Sequence, residues 1–107
     1  MEILRGSFSW ALVKLKEGYA VTRHTGWNGK NMFIYLVAGS EVSPEKLRNE
    51  AFTQVRSRII AEMKEGEESS SVNIRPHIDM RDAQGDIAVG WVPSQADMFA
   101  KDWMIKE

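Results

Sequence analysis

Cysteine is absent from the 107-residue chain, which excludes disulfide staples, thiolate nucleophiles and Cys-ligated zinc, and is compatible with a reducing compartment. An excess of either charge is also missing: 15 Asp and Glu against 14 Lys and Arg give a formal net charge of −1. So even a balance lacks the broad positive field of a duplex-binding protein, and neither DNA nor RNA is an expected partner. Long apolar runs are missing as well. The longest, residues 32–38 (MFIYLVA), falls far short of the ~20 residues that span a bilayer. The first ten residues, MEILRGSFSW, have no basic flank leading into an apolar stretch, so neither membrane association nor a secretion signal is expected. His24 and His77 are the only two histidines and have no ligand-spaced carboxylate beside them, so no metal or other cofactor is expected. No Ser or Thr stands in a recognisable nucleophile turn. These absences point to a binding protein rather than an enzyme.

The patterning that is present describes one domain of α+β class: a small antiparallel β-sheet with helices packed on one face. A chain this short buries between about 60 and 70% of its unfolded surface, so its core is thin and self-association is a natural way to bury more. In residues 8–17 (FSWALVKLKE), Phe8, Leu12 and Leu15 recur at helical spacing beside Ala11, with Ser7 or Ser9 as cap and Gly18 just past the end. YAVTR (19–23) and NMFIYLV (31–37) read as strands joined by a turn. The second is apolar on both faces, with Met32, Ile34 and Leu36 on one and Phe33, Tyr35 and Val37 on the other. Helices can cover one face, and a second copy of the chain is the expected cover for the other. Ser43 and Pro44 open a helix whose apolar stripe runs through Leu47, Ala51, Val55, Ile59 and Met63, with Lys46/Glu50 and Arg58/Glu62 on its outer side. Residues 72–81 alternate as a strand that Pro76 places at an edge or interrupts. The tip at Ala83, Gln84, Gly85 and Asp86 returns the chain into IAVGWV, and PSQADMFA and WMIK close it as a short helix and a strand.

Binding chemistry concentrates around GWNGKNMFIYLV (26–37). Gly26, Asn28 and Gly29 suit a turn, whereas Trp27 either folds back onto a core or stacks on something flat. GWNGK is not a P-loop, because too few residues separate its first glycine from the GK pair. Trp27 and Trp91 stand where strands meet turns, Phe33 offers a third flat surface, and indoles stack well on purines. Asn28 carries both donor and acceptor for a base or ribose edge. Lys30, Arg75, His77 and Arg81 supply positive charge for a pyrophosphate, or else form the wet face of an antiparallel sheet. Ser94 and Asp97 have the spacing of a helix cap, and Trp10 and Trp103 read as core.

The blocks GYAVTRHTGWNGKNMFIYL and RPHIDMRDAQGDIAVGWVPSQADMFAKDW resemble the Thoeris anti-defence two family of small phage domains. The resemblance runs over the first helix, residues 18–40 and residues 74–105. It implies a non-enzymatic sponge that sequesters a cyclic nucleotide immune signal in the cytoplasm of the infected bacterial host. The implied ligands are the glycosidic cyclic form of ADP-ribose made by TIR-domain defence proteins and, for some members, cyclic dinucleotides of CBASS immunity. It also implies a homotetramer with pockets at subunit junctions. Within the matching blocks it carries over Trp27, Asn28, Phe33, Trp91, Ser94 and Asp97 as ligand-binding positions. Two features depart from the family pattern: an extra helix at about 44–65 where many members have a shorter connection, and Ala83-Gln84-Gly85-Asp86 where members often have Ala-Asp-Gly. A protein-interaction module and a hydrolase of the same ligand are the alternative readings.

Overall fold

The computed structural model describes residues 2–27, 31–43, 58, 61–62 and 72–107. Helix α1 (Phe8–Lys16) forms where the apolar period predicts it, and Ser7 is its cap, its hydroxyl accepting from the Trp10 backbone N–H at 3.2 Å. Gly18 follows in the left-handed region at φ 98°, where a side chain would be strained. Strands β1 (Val21–Arg23), β2 (Phe33–Val37), β5 (His77–Arg81), β6 (Ile87–Val89) and β7 (Trp103–Ile105) form an antiparallel sheet in the order β6-β5-β2-β1-β7. Strands β3 (Ser40–Val42) and β4 (Val72–Ile74) form a separate two-stranded sheet. A short helix α2 (Gln95–Phe99) precedes β7. The fold is α+β, as the patterning predicts.

The chain divides into two compact units, residues 1–38 with 77–107, and residues 39–76. The first holds the core. Ala11 and Leu15 of α1 close over Val21, Ile34, Met80 and Trp103, all buried, with Phe8, Trp10 and Leu12 packed at the margin. Register sets the two sheet faces: Val21 pairs with Ile34, and Ile34 with Met80, so all three point toward α1. Phe33, Tyr35 and Val37 therefore point the other way, opposite Arg81, Asp79 and His77 respectively. This second face carries Phe33 and Tyr35 with ring centroids 6.1 Å apart, together with exposed Ile87 and Val89 from β6.

Residues 72–81 read as a strand that Pro76 places at an edge or interrupts, and the second alternative holds: Arg75 and Pro76 separate β4 from β5, which belong to different sheets. Proline cannot donate to a ladder, so interruption is the physical outcome. β5 itself is not an edge, since it lies between β2 and β6. β3 is not signalled by its sequence, SEV being too short for alternation to show. The helix expected over about 44–65 lies outside the described residues apart from Arg58, Ala61 and Glu62, which are helical and exposed. Arg58 and Glu62 form the expected ion pair at 3.4 Å.

Candidate functional site

The loop leaving β1 is tied down by two carboxylates distant in sequence. Asp102, immediately before β7, accepts at Oδ2 from the Thr25 N–H (2.9 Å), the Thr25 hydroxyl (2.8 Å) and the Gly26 N–H (2.9 Å). Its Oδ1 accepts from Arg23 Nε at 3.0 Å. The same guanidinium reaches Asp97 Oδ1 through Nη1 at 2.9 Å, and that oxygen also accepts from Trp27 Nε1 at 3.3 Å. Asp97 Oδ2 meanwhile accepts from the Ser94 N–H, and the Ser94 hydroxyl from the Asp97 N–H, both at 3.0 Å: a complete capping box at the start of α2. Gly26 is needed here for a reason other than turn geometry. Its φ is not in the left-handed region, but a Cβ on it would overlap the Arg23 guanidinium.

These contacts set the charge states. Desolvation by itself would raise the Asp102 carboxyl, but the hydrogen bonds from Thr25, Gly26 and Arg23 outweigh it and hold the group well below the ordinary carboxylate range. Asp97 moves down by the same opposition, with Ser94, Arg23 and Trp27 as its donors. Burial disfavours the Arg23 cation, and its two carboxylate partners overcome that and move it up. For an acid depressed in the folded state, the stability contribution is complete above the unfolded value near 3.9 and is lost as pH falls toward the folded one. The melting temperature should therefore hold between about pH 5 and 8 and decline below about pH 4. Circular dichroism melts across that range check it, and a decline centred near neutrality would contradict it.

Trp27 turns inward and sits edge-on to two other indoles, 5.2 Å from Trp103 at 83° and 6.2 Å from Trp91 at 75° between planes. Phe8 completes the cluster, 5.6 Å from Trp103 and 6.4 Å from Trp91. Trp27 nevertheless remains half-buried, because it also lines a cleft of about 260 Å³ with Thr22, His24, Asn31, Met104 and Lys106. Thr22 and Met104 pair across β1 and β7 on the sheet face that carries Phe33. Asn31 holds a left-handed φ of 61° at the entry to β2, a conformation asparagine tolerates. The cleft thus has an aromatic wall, an amide, an imidazole, the clamped Arg23 guanidinium, an ammonium and, at Glu107, a carboxylate.

A family model, described as the Thoeris anti-defense 2-like domain, matches residues 6–106. The chain belongs to that family. Among curated proteins, the Thoeris anti-defense 2 protein of Bacillus phage SP01 is 37% identical to it over 99 residues, covering 92% of each chain. Membership supports a phage anti-defence role, and the family's name is not that of an enzyme. The span that matches this Thoeris anti-defense 2-like family takes in α1, the carboxylate clamp and nearly all of the cleft.

Within this Thoeris anti-defense 2-like chain the predicted site residues fall into separate groups. Trp27, Trp91, Ser94 and Asp97 come together around Trp103. Phe33, His77 and Arg81 share the sheet face turned away from α1, where His77 Nε2 lies 3.5 Å from buried Asp79. Arg75 is exposed in the second unit, between β4 and β5. Asn28 and Lys30 lie outside the described residues. The Ser94–Asp97 pair has the cap role its spacing suggests, and Asp97 adds a second one by holding Arg23 and Trp27. Sequence reasoning missed Arg23, Asp102, His24, Asn31, Met104 and Lys106. The one local signal was an isolated acid, Asp102, directly before the buried Trp103. Among the described residues, no group of three or more His, Asp or Glu could hold a metal ion, and no helix is long and apolar enough to cross a membrane.

Proposed function

We propose that the chain is a sponge: it binds and sequesters a cyclic nucleotide immune signal in the cytoplasm of the infected host without degrading it. The ligand class is the glycosidic cyclic ADP-ribose of Thoeris, with cyclic dinucleotides of CBASS as a further candidate. The observation that carries this reading is Trp27, anchored by Asp97 and lining a cleft that also holds His24 and Lys106. An indole there can stack on adenine, while the ammonium and imidazole suit a pyrophosphate. Phe33 and Arg81 add a ring and a guanidinium on the sheet face turned away from α1, with the His77 imidazole beside them.

In the same reading the chain works as a homo-oligomer, a tetramer. A cleft of about 260 Å³ is smaller than the ~300–1,000 Å³ of ordinary ligand sites. A second copy would supply the missing wall and cover the face of Phe33, Tyr35, Ile87 and Val89. The experiment is to incubate the protein with glycosidic cyclic ADP-ribose, remove free ligand, denature by heat and analyse what is released. Intact ligand in stoichiometric amount is expected. Altered product would make the chain a hydrolase, and no retained ligand, with cyclic dinucleotides tried in parallel, would leave a protein-interaction module. Light scattering on the same sample should show an assembly, and a clean monomer at micromolar concentration would remove that part of the proposal.

A further inference from the structure

We infer that Asp102 is a positioning residue that holds the Trp27 loop in its binding geometry before any ligand arrives, with Arg23 and Asp97 as its relay. The inference rests on the sponge reading only for what the loop binds. Loop backbone that donates to water reorders freely, and fixing it on binding costs affinity. Here that ordering is built into the free chain. Thr25 and Gly26 donate their amides to one oxygen of Asp102, and the His24 N–H donates to the Asp102 backbone carbonyl at 3.0 Å. Trp27 is reached through the indole, whose Nε1 shares Asp97 Oδ1 with Arg23. Each of residues 24–27 is thereby bonded to Asp102 or Asp97.

Both acids stand on parts of the fold that are fixed independently. Asp97 is in α2 behind its capping box, and Asp102 leads into β7, which pairs with β1 through Arg23 and Trp103. Gly26 completes the device, since its missing Cβ leaves the room that the guanidinium fills. The Arg23, Asp97 and Asp102 side chains are 11 to 20% exposed and lie outside the apolar core of Ala11, Leu15, Val21, Ile34, Met80 and Trp103. Their loss acts first on the loop. Global stability is expected to fall as well, by the linkage of the depressed acids, with the sheet core still folded at neutral pH.

The test is Asp102→Ala, which removes both acceptor oxygens from the four donors that converge on them. In the ligand-free protein, hydrogen exchange at Thr25 and Gly26 should quicken about tenfold or more while Val21 and Ile34 in the sheet keep their protection. The Trp27 indole N–H resonance should shift with it. Affinity for glycosidic cyclic ADP-ribose should fall by about tenfold or more, a loss that Ala11→Gly, which weakens α1 without touching the loop, should not reproduce. Unchanged exchange at Thr25 and Gly26 overturns the inference. So does an equal rise at Val21 and Ile34, and so does a loosened loop that still binds as tightly as the wild type. If the wild type retains no probe, the sponge reading fails on its own, and the positioning role is decided by exchange and the indole resonance alone.

Discussion

Replacing Trp103 with alanine is expected to lower the free energy of unfolding by about 3–5 kcal/mol, the range for deleting a large buried aromatic. The indole is 3% exposed and is the hub on which Phe8, Trp27 and Trp91 pack. Its Nε1 donates to the Asp97 carbonyl at 2.9 Å, so truncation also removes that acceptor's shorter hydrogen bond and leaves it only the Ala100 N–H at 3.4 Å. A domain of this size has only about 5–15 kcal/mol to lose, so the variant should be largely unfolded in modest urea. Phe99, 79% exposed, is the control: its alanine variant should stay within about 0.5 kcal/mol of the wild type. Urea titration followed by tryptophan fluorescence or circular dichroism measures both, and equal midpoints for the two variants would contradict the assignment of Trp103 to the core.

Trp27→Ala should show a different balance. Loss of stacking should weaken binding of glycosidic cyclic ADP-ribose by about 1–3 kcal/mol, or roughly 5- to 150-fold. Stability should also fall, by about 1–2 kcal/mol, because the ring is half-buried and gives up two edge-on aromatic contacts. That is less than for Trp103 and more than a solvent-facing turn residue would show. Trp27→Phe separates the contributions, since it keeps a ring for stacking and removes the Nε1 donor to Asp97. It should bind better than alanine and worse than the wild type. Calorimetry paired with thermal melts reads both quantities on each variant. Normal binding by the folded fraction of Trp27→Ala would make the indole purely structural.

The elements that local chemistry can specify were legible. The period of Phe8, Ala11, Leu12 and Leu15 with a serine before it defines α1, because helical spacing and an N-cap involve only residues within a few positions of one another. Ser94 and Asp97 announce α2 in the same way. The alternation in residues 33–37 fixes which side chains share a face of β2, and hence that Phe33, Tyr35 and Val37 point away from Ile34. The interruption at Pro76 was legible as a break, although the transfer of β4 to another sheet was not.

What the tertiary structure decided is everything that depends on strand order. Arg23 and Asp102 are 79 positions apart and Arg23 and Asp97 74 apart, and they meet because β7, the last strand, pairs beside β1. The same pairing places Met104 across from Thr22 and brings Lys106 to the cleft that Trp27 lines. A period of two or 3.6 residues says which way a side chain points from its own strand or helix, and says nothing of which strand will lie next to it. The sequence by itself therefore determined that a tryptophan would stand at this turn, between a strand and glycines. Only the assembled sheet determined that two distant carboxylates would hold it there, since a carboxylate satisfied by three loop donors and a guanidinium from β1 exists only where folding has brought the donors to it.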